Sequence, residues 1–336
     1  MKAAVCYGKE DIRIEETKVR GLGPNDVLVK IAYCGICPSD LRVYSGKSSL
    51  KYPIILGHEF TGWIEDKGIG VNNMEIGTRV VVDPCDRCYT ACEPCRRGYT
   101  NKCRSVTSGY EGFAEYYVTS SMYVHPLKDS TDMIAASLTE PLACVIHGQK
   151  QAKVVPGSTV LIVGAGPIGL LHVMVSKFFG AKVISSDISD DRLQVASKFG
   201  ADITINPLNR DLSEVVMEET EGWGADSIII AAGKPEIIEQ TVGLIGIGGT
   251  MVIFAGIYPE TPIRLSPNLI HYQEINITGS SDYTDMDFIQ SLKMIEEGHI
   301  DTKALVTDVL DLKDIGRGMS LVRSGNRLKV VIKISE

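Results

Sequence analysis

The stretch TVLIVGAGPIG, residues 159–169, decides the fold of this chain. A short apolar run leads into three glycines with G-x-G-x-x-G spacing. Between a strand and a helix, the first glycine permits the tight turn, the second lets a pyrophosphate approach the helix N-terminus, and the third lets helix and strand pack closely. The predicted cofactor-binding residues of this turn are Gly164, Gly166, Pro167, Ile168 and Gly169.

Five more apolar runs follow, each separated from the next by a segment with helical character. They are KVISSD (182–187), DITI (202–205), DSIIIAAG (226–233), GTMVIFAG (249–256) and INITGS (275–280). Near-continuous apolar strands between helices indicate a parallel sheet that is covered on both faces. Six such strands predict a doubly wound, Rossmann-type dinucleotide-binding domain.

Asp187 ends the second of these strands. A carboxylate there can accept hydrogen bonds from the adenosine ribose and repel a 2′-phosphate, which favours NAD over NADP. The alternative is that Asp187 caps a helix together with Ser189 and Asp190. Arg192 lies close to Asp187 in sequence and is also predicted to bind the cofactor. Its presence weakens the preference for NAD.

The N-terminal part of the chain has a different pattern of residue types. Short Val, Ile and Tyr runs broken by Gly, Pro and Asp predict a compact β-rich domain. After two helical stretches, at about 285–297 and 312–324, the alternating run LKVVIKI (328–334) predicts a half-buried strand that rejoins this domain. We therefore predict a discontinuous α/β architecture. A β-rich catalytic domain comprises residues 1–144 and 280–336, and a nucleotide-binding domain, 145–279, is inserted into it.

Length, charge and hydropathy narrow the class of protein. The 336 residues predict about two domains, and the net charge of −8 argues against nucleic acid as a partner. No apolar run approaches the ~20 residues of a membrane helix, and the N-terminus lacks the apolar core of a signal peptide. We expect a cytoplasmic protein without a membrane partner. Because disulfides are rare in the cytosol, its nine cysteines favour metal binding.

Two short motifs contain candidate metal ligands, namely CGICPSD (34–40) and GHE (57–59). Cysteine, histidine and carboxylate are all ligands that zinc accepts. A redox pair of Cys34 and Cys37 is an alternative, but the motif does not lie in a thioredoxin-like unit. A histidine such as His58 on its own is more often structural, but its position beside Glu59, together with Cys37 and the separate cysteine cluster, favours metal binding.

With these motifs, the chain resembles the zinc-dependent medium-chain dehydrogenases over essentially its full length, most closely the polyol and threonine dehydrogenase branch. The resemblance rests on CGICPSD, LGHEFTG, the cysteine cluster, EGFAEY, EPLACVIHG, VLIVGAGPIGLL and SDISDDRL. It implies a GroES-like catalytic domain interrupted by a Rossmann domain. It also implies an enzyme that transfers hydride between NAD and a secondary alcohol of a polyol, sugar or hydroxy amino acid.

The resemblance also assigns roles to single residues. Cys37, His58 and Glu59 match the catalytic zinc site, and Glu140 in TEPL matches the glutamate that binds zinc or its water in the polyol branch. Ser39 matches the hydroxyl that relays the proton of a zinc-bound alcohol, which reacts as the alkoxide. Cys34 matches a non-ligand position, and Gly256 is expected to let the nicotinamide approach the backbone. Relatives are commonly dimers or tetramers, so a homo-oligomer is expected.

Two residues depart from the family pattern. Pro38 stands where glycine is common and stiffens the turn. Arg42 stands where many relatives have a relay histidine, and an arginine does not deprotonate at neutral pH. Arg42 could bind an acidic or phosphorylated substrate instead, or simply pair with an exposed acid. Tyr44 is expected beside the substrate pocket or in the core.

The second candidate metal site is CDRCYTACEPC (85–95), followed by Cys103. The family's structural zinc has C-x2-C-x2-C-x7-C spacing, which Cys92, Cys95 and Cys103 match. Position 89 is a tyrosine, so the first ligand is either Cys88, through a one-residue bulge, or Cys85. A closed zinc site takes four ligands, so one cysteine is spare. VDPCDRC (82–88) matches the family's DP lead-in to its first ligand, and this resemblance implies Cys88 as the ligand and Cys85 as the spare.

Two other functions are alternatives to this one. A zinc-free reductase of the same superfamily would have no use for Cys37, His58, Glu59 and Glu140. A non-catalytic zinc or redox sensor built on residues 85–103 would be indifferent to replacement of Cys37.

Overall fold

The computed structural model describes residues 1–105 and 110–335. The strands, in chain order, are β1 (Lys2–Gly8), β2 (Asp11–Glu16), β3 (Asp26–Gly35), β4 (Ile54–Ile55), β5 (Glu59–Lys67), β6 (Arg79–Val82), β7 (Tyr116–Ser120), β8 (Val124–Pro126), β9 (Thr159–Val163), β10 (Lys182–Ser186), β11 (Ile203–Ile205), β12 (Ala225–Ile230), β13 (Ile245–Ile253), β14 (Asn276–Gly279), β15 (Val306–Asp311) and β16 (Lys329–Lys333).

The helices of the described residues are α1 (Pro38–Tyr44), α2 (Glu93–Arg96), α3 (Met133–Ser137), α4 (Thr139–Gln151), α5 (Pro167–Phe178), α6 (Asp190–Lys198), α7 (Leu212–Glu219), α8 (Pro235–Thr241), α9 (Pro267–Gln273), α10 (Asp285–Glu296) and α11 (Ile315–Ser324). Short 3-10 turns occur at Thr100–Lys102, Ser121–Tyr123, Val242–Leu244, Thr302–Leu305 and Leu312–Asp314. Among residues 1–105 and 110–335, no helix has the length and apolarity needed to cross a bilayer.

The chain divides into two compact units. One consists of Met1–Pro141 together with Phe288–Glu336, and the other of Leu142–Asp287. The first unit is therefore discontinuous in sequence.

The discontinuous unit is built on a mostly antiparallel sheet. Its strand order is β15-β16-β3-β5-β6-β8, with β7 also paired to β3, and a smaller sheet has the order β2-β1-β4. The core consists of buried aliphatic and aromatic side chains from these strands and from α11. The last strand rejoins this sheet as expected, because Ile332 pairs with Cys34 of β3.

The expectation that the last strand is half-buried was wrong. Residues 329–332 are all buried, because β16 lies between β15 and β3 and α11 packs over it. Strand β15, which the sequence did not predict, supplies the outer neighbour and runs parallel to β16. The alternating pattern was misleading since its first lysine, Lys329, is not on a solvent face.

The second unit has the predicted Rossmann architecture. Its six strands are all parallel, in the order β11-β10-β9-β12-β13-β14, which is the 3-2-1-4-5-6 order of the doubly wound dinucleotide fold. The strand order reverses between β9 and β12, and ligands of such sheets bind at the carboxyl ends of the strands at this point. The glycine-rich turn follows β9 and opens α5, so it lies at this edge.

Candidate active site and metal centres

Cys37 is fixed by the start of α1. It is the N-cap residue, and its backbone N–H donates to Asp40 Oδ2 at 2.9 Å. Pro38 is the first helical residue, a position where proline costs no hydrogen bond and its fixed φ suits the helix. The proline thus helps to define the helix start that presents Cys37 and Ser39.

His58 is presented by the turn that precedes β5. Gly57 has φ +90°, a left-handed conformation that favours glycine, and a Cβ there would lie 2.8 Å from Cys34 Sγ. The buried Cys34 thus packs beneath this turn. It lies outside the group of candidate ligands, which agrees with its expected non-ligand position.

Cys37, His58 and Glu59 form one group of candidate metal ligands. One ligand atom from each lies within 4.8 Å of the others. Nδ1 of His58 and Oε2 of Glu59 are buried beside charged groups, yet neither makes a regular hydrogen bond within the described residues. Thiolate, imidazole and carboxylate suit zinc, so the donor set fits that metal.

Asp40 and Lys329 supply charges around this group. Oδ1 of Asp40 lies 3.4 Å from His58 Nδ1. Burial alone lowers the pKa of His58, but the negative charges of Asp40 and Cys37 outweigh it and raise that pKa well above its ordinary value. A metal would take the place of this proton. Lys329 Nζ donates to Glu59 Oε1 at 2.7 Å.

Ser39 and Glu140 lie at different distances from the group. Oγ of Ser39 lies 3.4 Å from Nε2 of His58. Glu140, in the first turn of α4, lies outside the 4.8 Å group, although its charge contributes to raising the pKa of Lys329. The structure therefore brings Ser39 next to the candidate ligands, whereas the charge of Glu140 acts on Lys329, the ion-pair partner of Glu59.

Arg42 and Tyr44 have different surroundings. Tyr44 is buried, its hydroxyl donates to the Glu10 carbonyl at 3.4 Å, and it packs in the core. Arg42 is half-buried in the last turn of α1.

Tyr110 lies near both His58 and Arg42. Burial raises the pKa of Tyr110, while the positive charges of His58 and Arg42 oppose this rise.

The second group consists of Cys88, Cys92, Cys95 and Cys103, whose sulfur atoms all lie within 4.8 Å of one another. The Sγ atoms of Cys88 and Cys103 are 3.5 Å apart. Four thiols in this arrangement fit a closed tetrahedral zinc site. Cys85 lies outside the group.

The irregular spacing of the cysteines coincides with a tight turn at Tyr89. This residue is left-handed, with φ +53°, and the Thr90 N–H donates back to the Cys88 carbonyl at 2.6 Å. The Tyr89 ring stacks on Tyr123, with ring centroids 6.4 Å apart. A tight turn centred on Tyr89 thus directly follows Cys88, which lies in the group with the other three cysteines.

The glycine-rich turn has the shape of a nucleotide site. Gly164 has φ +103°, and a Cβ at Gly169 would collide with the Gly164 carbonyl. A Cβ at Gly166, the N-cap of α5, would meet nothing within 4 Å, which leaves open space at the helix N-terminus. Pro167 is the first residue of that helix, and Ile168 follows it. A pyrophosphate fits such an end because its N–H groups and helix dipole favour negative charge.

Asp187 follows β10 and is largely buried. Its carboxylate accepts from Ala165 N–H at 2.7 Å and lies 3.8 Å from the guanidinium of Arg192. The cap of α6 is Ser189, not Asp187. Gly256 lies close to the ring of Tyr258, since a Cβ at this position would come within 2.8 Å of the ring atom Cε2.

Comparison with known proteins decides the family. The family described as alcohol dehydrogenase GroES-like domain matches residues 23–129, and that described as zinc-binding dehydrogenase matches residues 167–297. The chain is 32% identical to a probable D-xylulose reductase A of Emericella nidulans, over 98% of this chain and 95% of the relative. It belongs to the zinc-dependent alcohol dehydrogenase family.

Other relatives agree with this family. A sorbitol dehydrogenase of Halalkalibacterium halodurans is 30% identical over 99% of both chains. A solved alcohol dehydrogenase of Escherichia coli CFT073 in complex with NADH has a TM-score of 0.92 and 30% identity, over 99% of both chains. A zinc-binding dehydrogenase of Sinorhizobium meliloti 1021 bound to NADP has a TM-score of 0.92 and 28% identity, over 99% of this chain and 98% of that one.

Three residues near the site of this dehydrogenase were not among those predicted from the sequence. Tyr110 makes an edge-on ring contact with His58, at 5.6 Å between centroids. Asp40 carried a usable signal, since an acid three residues after an N-cap is typical of a capping box. No local sequence pattern marks Lys329, because only strand pairing brings it to Glu59.

Proposed function

We propose that this dehydrogenase transfers hydride between NAD and the carbon that bears a secondary hydroxyl of a polyol or sugar. The observation that carries the proposal is the position of Ser39 Oγ, 3.4 Å from His58 Nε2 and beside the candidate ligands. A hydroxyl there can accept a proton from an alcohol held at Cys37 and His58. The relatives named D-xylulose reductase and sorbitol dehydrogenase support a polyol or its ketose as substrate.

Each side chain of the candidate site has a separate role in the proposed reaction. Cys37, His58 and a carboxylate would hold zinc, which when bound supplies the Lewis acid that lowers the pKa of the substrate hydroxyl. Ser39 relays the hydroxyl proton, accepting it as its own hydroxyl proton passes on towards solvent. The Asp40 carboxylate, 3.4 Å from His58 Nδ1, favours one orientation of the His58 ring by charge attraction. A nicotinamide cofactor would supply the hydride acceptor, and the turn at Gly166 would hold its pyrophosphate.

NAD is proposed as the preferred cofactor. The Asp187 carboxylate follows β10, at the strand edge where the adenosine ribose of a Rossmann domain binds. Its negative charge opposes a 2′-phosphate, although Arg192 lies 3.8 Å away and reduces that charge. The preference is therefore expected to be partial.

The test is a spectrophotometric screen of polyols, sugars and threonine with NAD or NADP, on protein of measured zinc content. Activity with a polyol and NAD is expected. The Ser39→Ala variant should lose roughly 10²–10⁴-fold in kcat, because general acid–base groups contribute about this much. Ser48→Ala, beyond the end of α1, is the matched control. Wild-type protein that holds zinc but turns over no alcohol would refute the proposal.

A second candidate substrate class is a polyol that carries a phosphate or carboxylate. Ser39 and Arg42 are three residues apart on α1, so their side chains lie on one face of the helix. The guanidinium could therefore bind an anionic group of an alcohol that is held at Ser39. Arg42→Gln should raise KM for a phosphorylated polyol and leave KM for the neutral polyol unchanged. Equal effects on both would remove this candidate.

We also propose a cytosolic homo-oligomer. Within the described parts of the chain, which include all nine cysteines, no disulfide is formed, in keeping with a reducing compartment. Strand β14 is one of the two edge strands of the Rossmann sheet, and such an edge can pair with a second copy. Light scattering after size exclusion tests the oligomer, and cell fractionation tests the location.

A further inference from the structure

Tyr110 lies against the imidazole ring of His58. The two rings meet edge to face, with 5.6 Å between their centroids and an interplanar angle of 85°. Oγ of Ser39 lies 3.4 Å from Nε2 of the same imidazole. The phenol ring of Tyr110 and the Ser39 hydroxyl therefore both border this histidine.

Backbone hydrogen bonds attach the segment after Tyr110 to the turn that presents His58. The N–H groups of residues 111–113 donate to carbonyls of residues 55–57, at distances between 2.8 and 3.2 Å. Glu111 has φ +88°, a left-handed conformation that is unfavourable for any residue other than glycine. Strain of this kind persists where surrounding contacts hold it, and it is concentrated at binding and catalytic sites. The same turn therefore sets the positions of both rings.

The Tyr110 hydroxyl has no hydrogen-bond partner within residues 1–105 and 110–335, although the side chain is half-buried. The hydroxyl groups of Tyr52 and Tyr123, in contrast, donate to backbone carbonyls at 2.6 and 2.8 Å. A buried tyrosine hydroxyl usually finds such a partner. The Tyr110 hydroxyl is therefore available to a ligand that binds beside His58.

We propose that Tyr110 determines substrate specificity by binding a second hydroxyl of the alcohol, on the carbon next to the one that reacts. This role rests on the proposed function, in which Ser39 relays the proton of the reacting hydroxyl. A tyrosine hydroxyl both donates and accepts hydrogen bonds, so it can pair with a neutral alcohol in either direction. A substrate without the second hydroxyl leaves the phenol unpaired, and a site built to bond a hydroxyl discriminates against such an analogue.

The experiment compares 2,3-butanediol with 2-butanol, two secondary alcohols that differ only in the second hydroxyl. kcat/KM with NAD is measured for both, in wild type and in Tyr110→Phe, which keeps the ring against His58. Wild type is expected to prefer the diol. Tyr110→Phe should lower kcat/KM for the diol roughly 3–10-fold and leave that for 2-butanol unchanged, because a neutral hydrogen bond contributes about this much.

Tyr116→Phe is the matched control, since Tyr116 is a half-buried tyrosine of β7. It should leave the preference for the diol unchanged. Zinc content and urea midpoints check that each variant keeps its metal and its fold. If the substrate screen favours a longer polyol, that polyol and its analogue without the adjacent hydroxyl replace the two butanols.

Three results would overturn the inference. An equal loss for both alcohols in Tyr110→Phe would show that the phenol supports the site without binding the second hydroxyl. Unchanged kinetics in this variant, or a wild-type enzyme without preference for the diol, would show that no such contact forms. All three leave the proposed function intact, whereas zinc-loaded wild type that oxidises no alcohol of the screen would refute that function and this inference with it.

Discussion

The carboxylate of Asp40 joins the two halves of the candidate active site. Oδ1 lies 3.4 Å from Nδ1 of His58, and Oδ2 accepts the backbone N–H of Cys37 at 2.9 Å. Oδ1 also accepts the N–H of Gly57 at 3.1 Å. A single buried side chain on α1 therefore sets both the helix start that presents Cys37 and the turn that presents His58.

Asp40→Asn should lower kcat/KM and metal affinity roughly 10–100-fold with the fold intact, since an outer partner of a metal-binding histidine typically contributes this much. The amide keeps the shape and an acceptor for the Cys37 N–H but removes the charge beside His58. Steady-state kinetics and a chelator competition measure the loss. Asp66→Asn, on an exposed part of β5, is the control, and equal kinetics for both variants would contradict the assigned role.

Cys88→Ser should lower the zinc content from about two to about one per chain, because a closed zinc site needs all four ligands. Cys85→Ser should leave it unchanged. Metal analysis of both proteins, prepared in parallel, makes the measurement. The reverse result would mean that Cys85 moves in as the fourth ligand when metal is present.

Asp187→Ser should change the ratio of kcat/KM for NADP over NAD by roughly 10–100-fold towards NADP, because each 1.4 kcal/mol of removed repulsion is tenfold. Activity with NAD should also fall, since the carboxylate accepts the Ala165 N–H of the glycine-rich turn. Initial rates with both cofactors measure the ratio. Asp191→Ser, in the first turn of α6, is the control, and the same ratio in both variants would exclude Asp187 from cofactor selection.

Asp287 should stabilise the fold in a pH-dependent way. Burial alone raises its pKa, but hydrogen bonds from His147, Lys150 and Thr284 outweigh this effect and hold the pKa far below its ordinary value. A depressed pKa adds stability above about pH 4, the unfolded value, and this stability is lost as the pH falls through the folded value.

Asp287→Asn should therefore cost about 3 kcal/mol of unfolding free energy at pH 7, the scale for breaking a buried charge network. The difference from wild type should shrink as the pH falls below about 4. Urea unfolding at pH 7 and at pH 3 measures both. Asp311→Asn breaks only the exposed pair with Lys313 and should cost under about 1 kcal/mol. A pH-independent loss for Asp287→Asn would point to packing rather than charge.

Local sequence predicted the parts of the molecule that depend on local physics. The glycine-rich turn and the six parallel strands were predicted because backbone freedom, strand apolarity and helix starts are properties of adjacent residues. The candidate ligands Cys37 and His58 came from short motifs of the same kind, and their roles in catalysis remain proposals.

By itself, the sequence determined the two-part fold, the family and the residue types that zinc and a dinucleotide require. Tertiary structure alone decided that Lys329 is buried against Glu59, which lies 270 residues earlier. It also decided that a tight turn at the left-handed Tyr89 directly follows Cys88, which lies with the other three cysteines. The physical reason is that strand register and chain reversal set such contacts, and a lysine at the start of an alternating strand has the same local pattern whether its face meets water or a carboxylate.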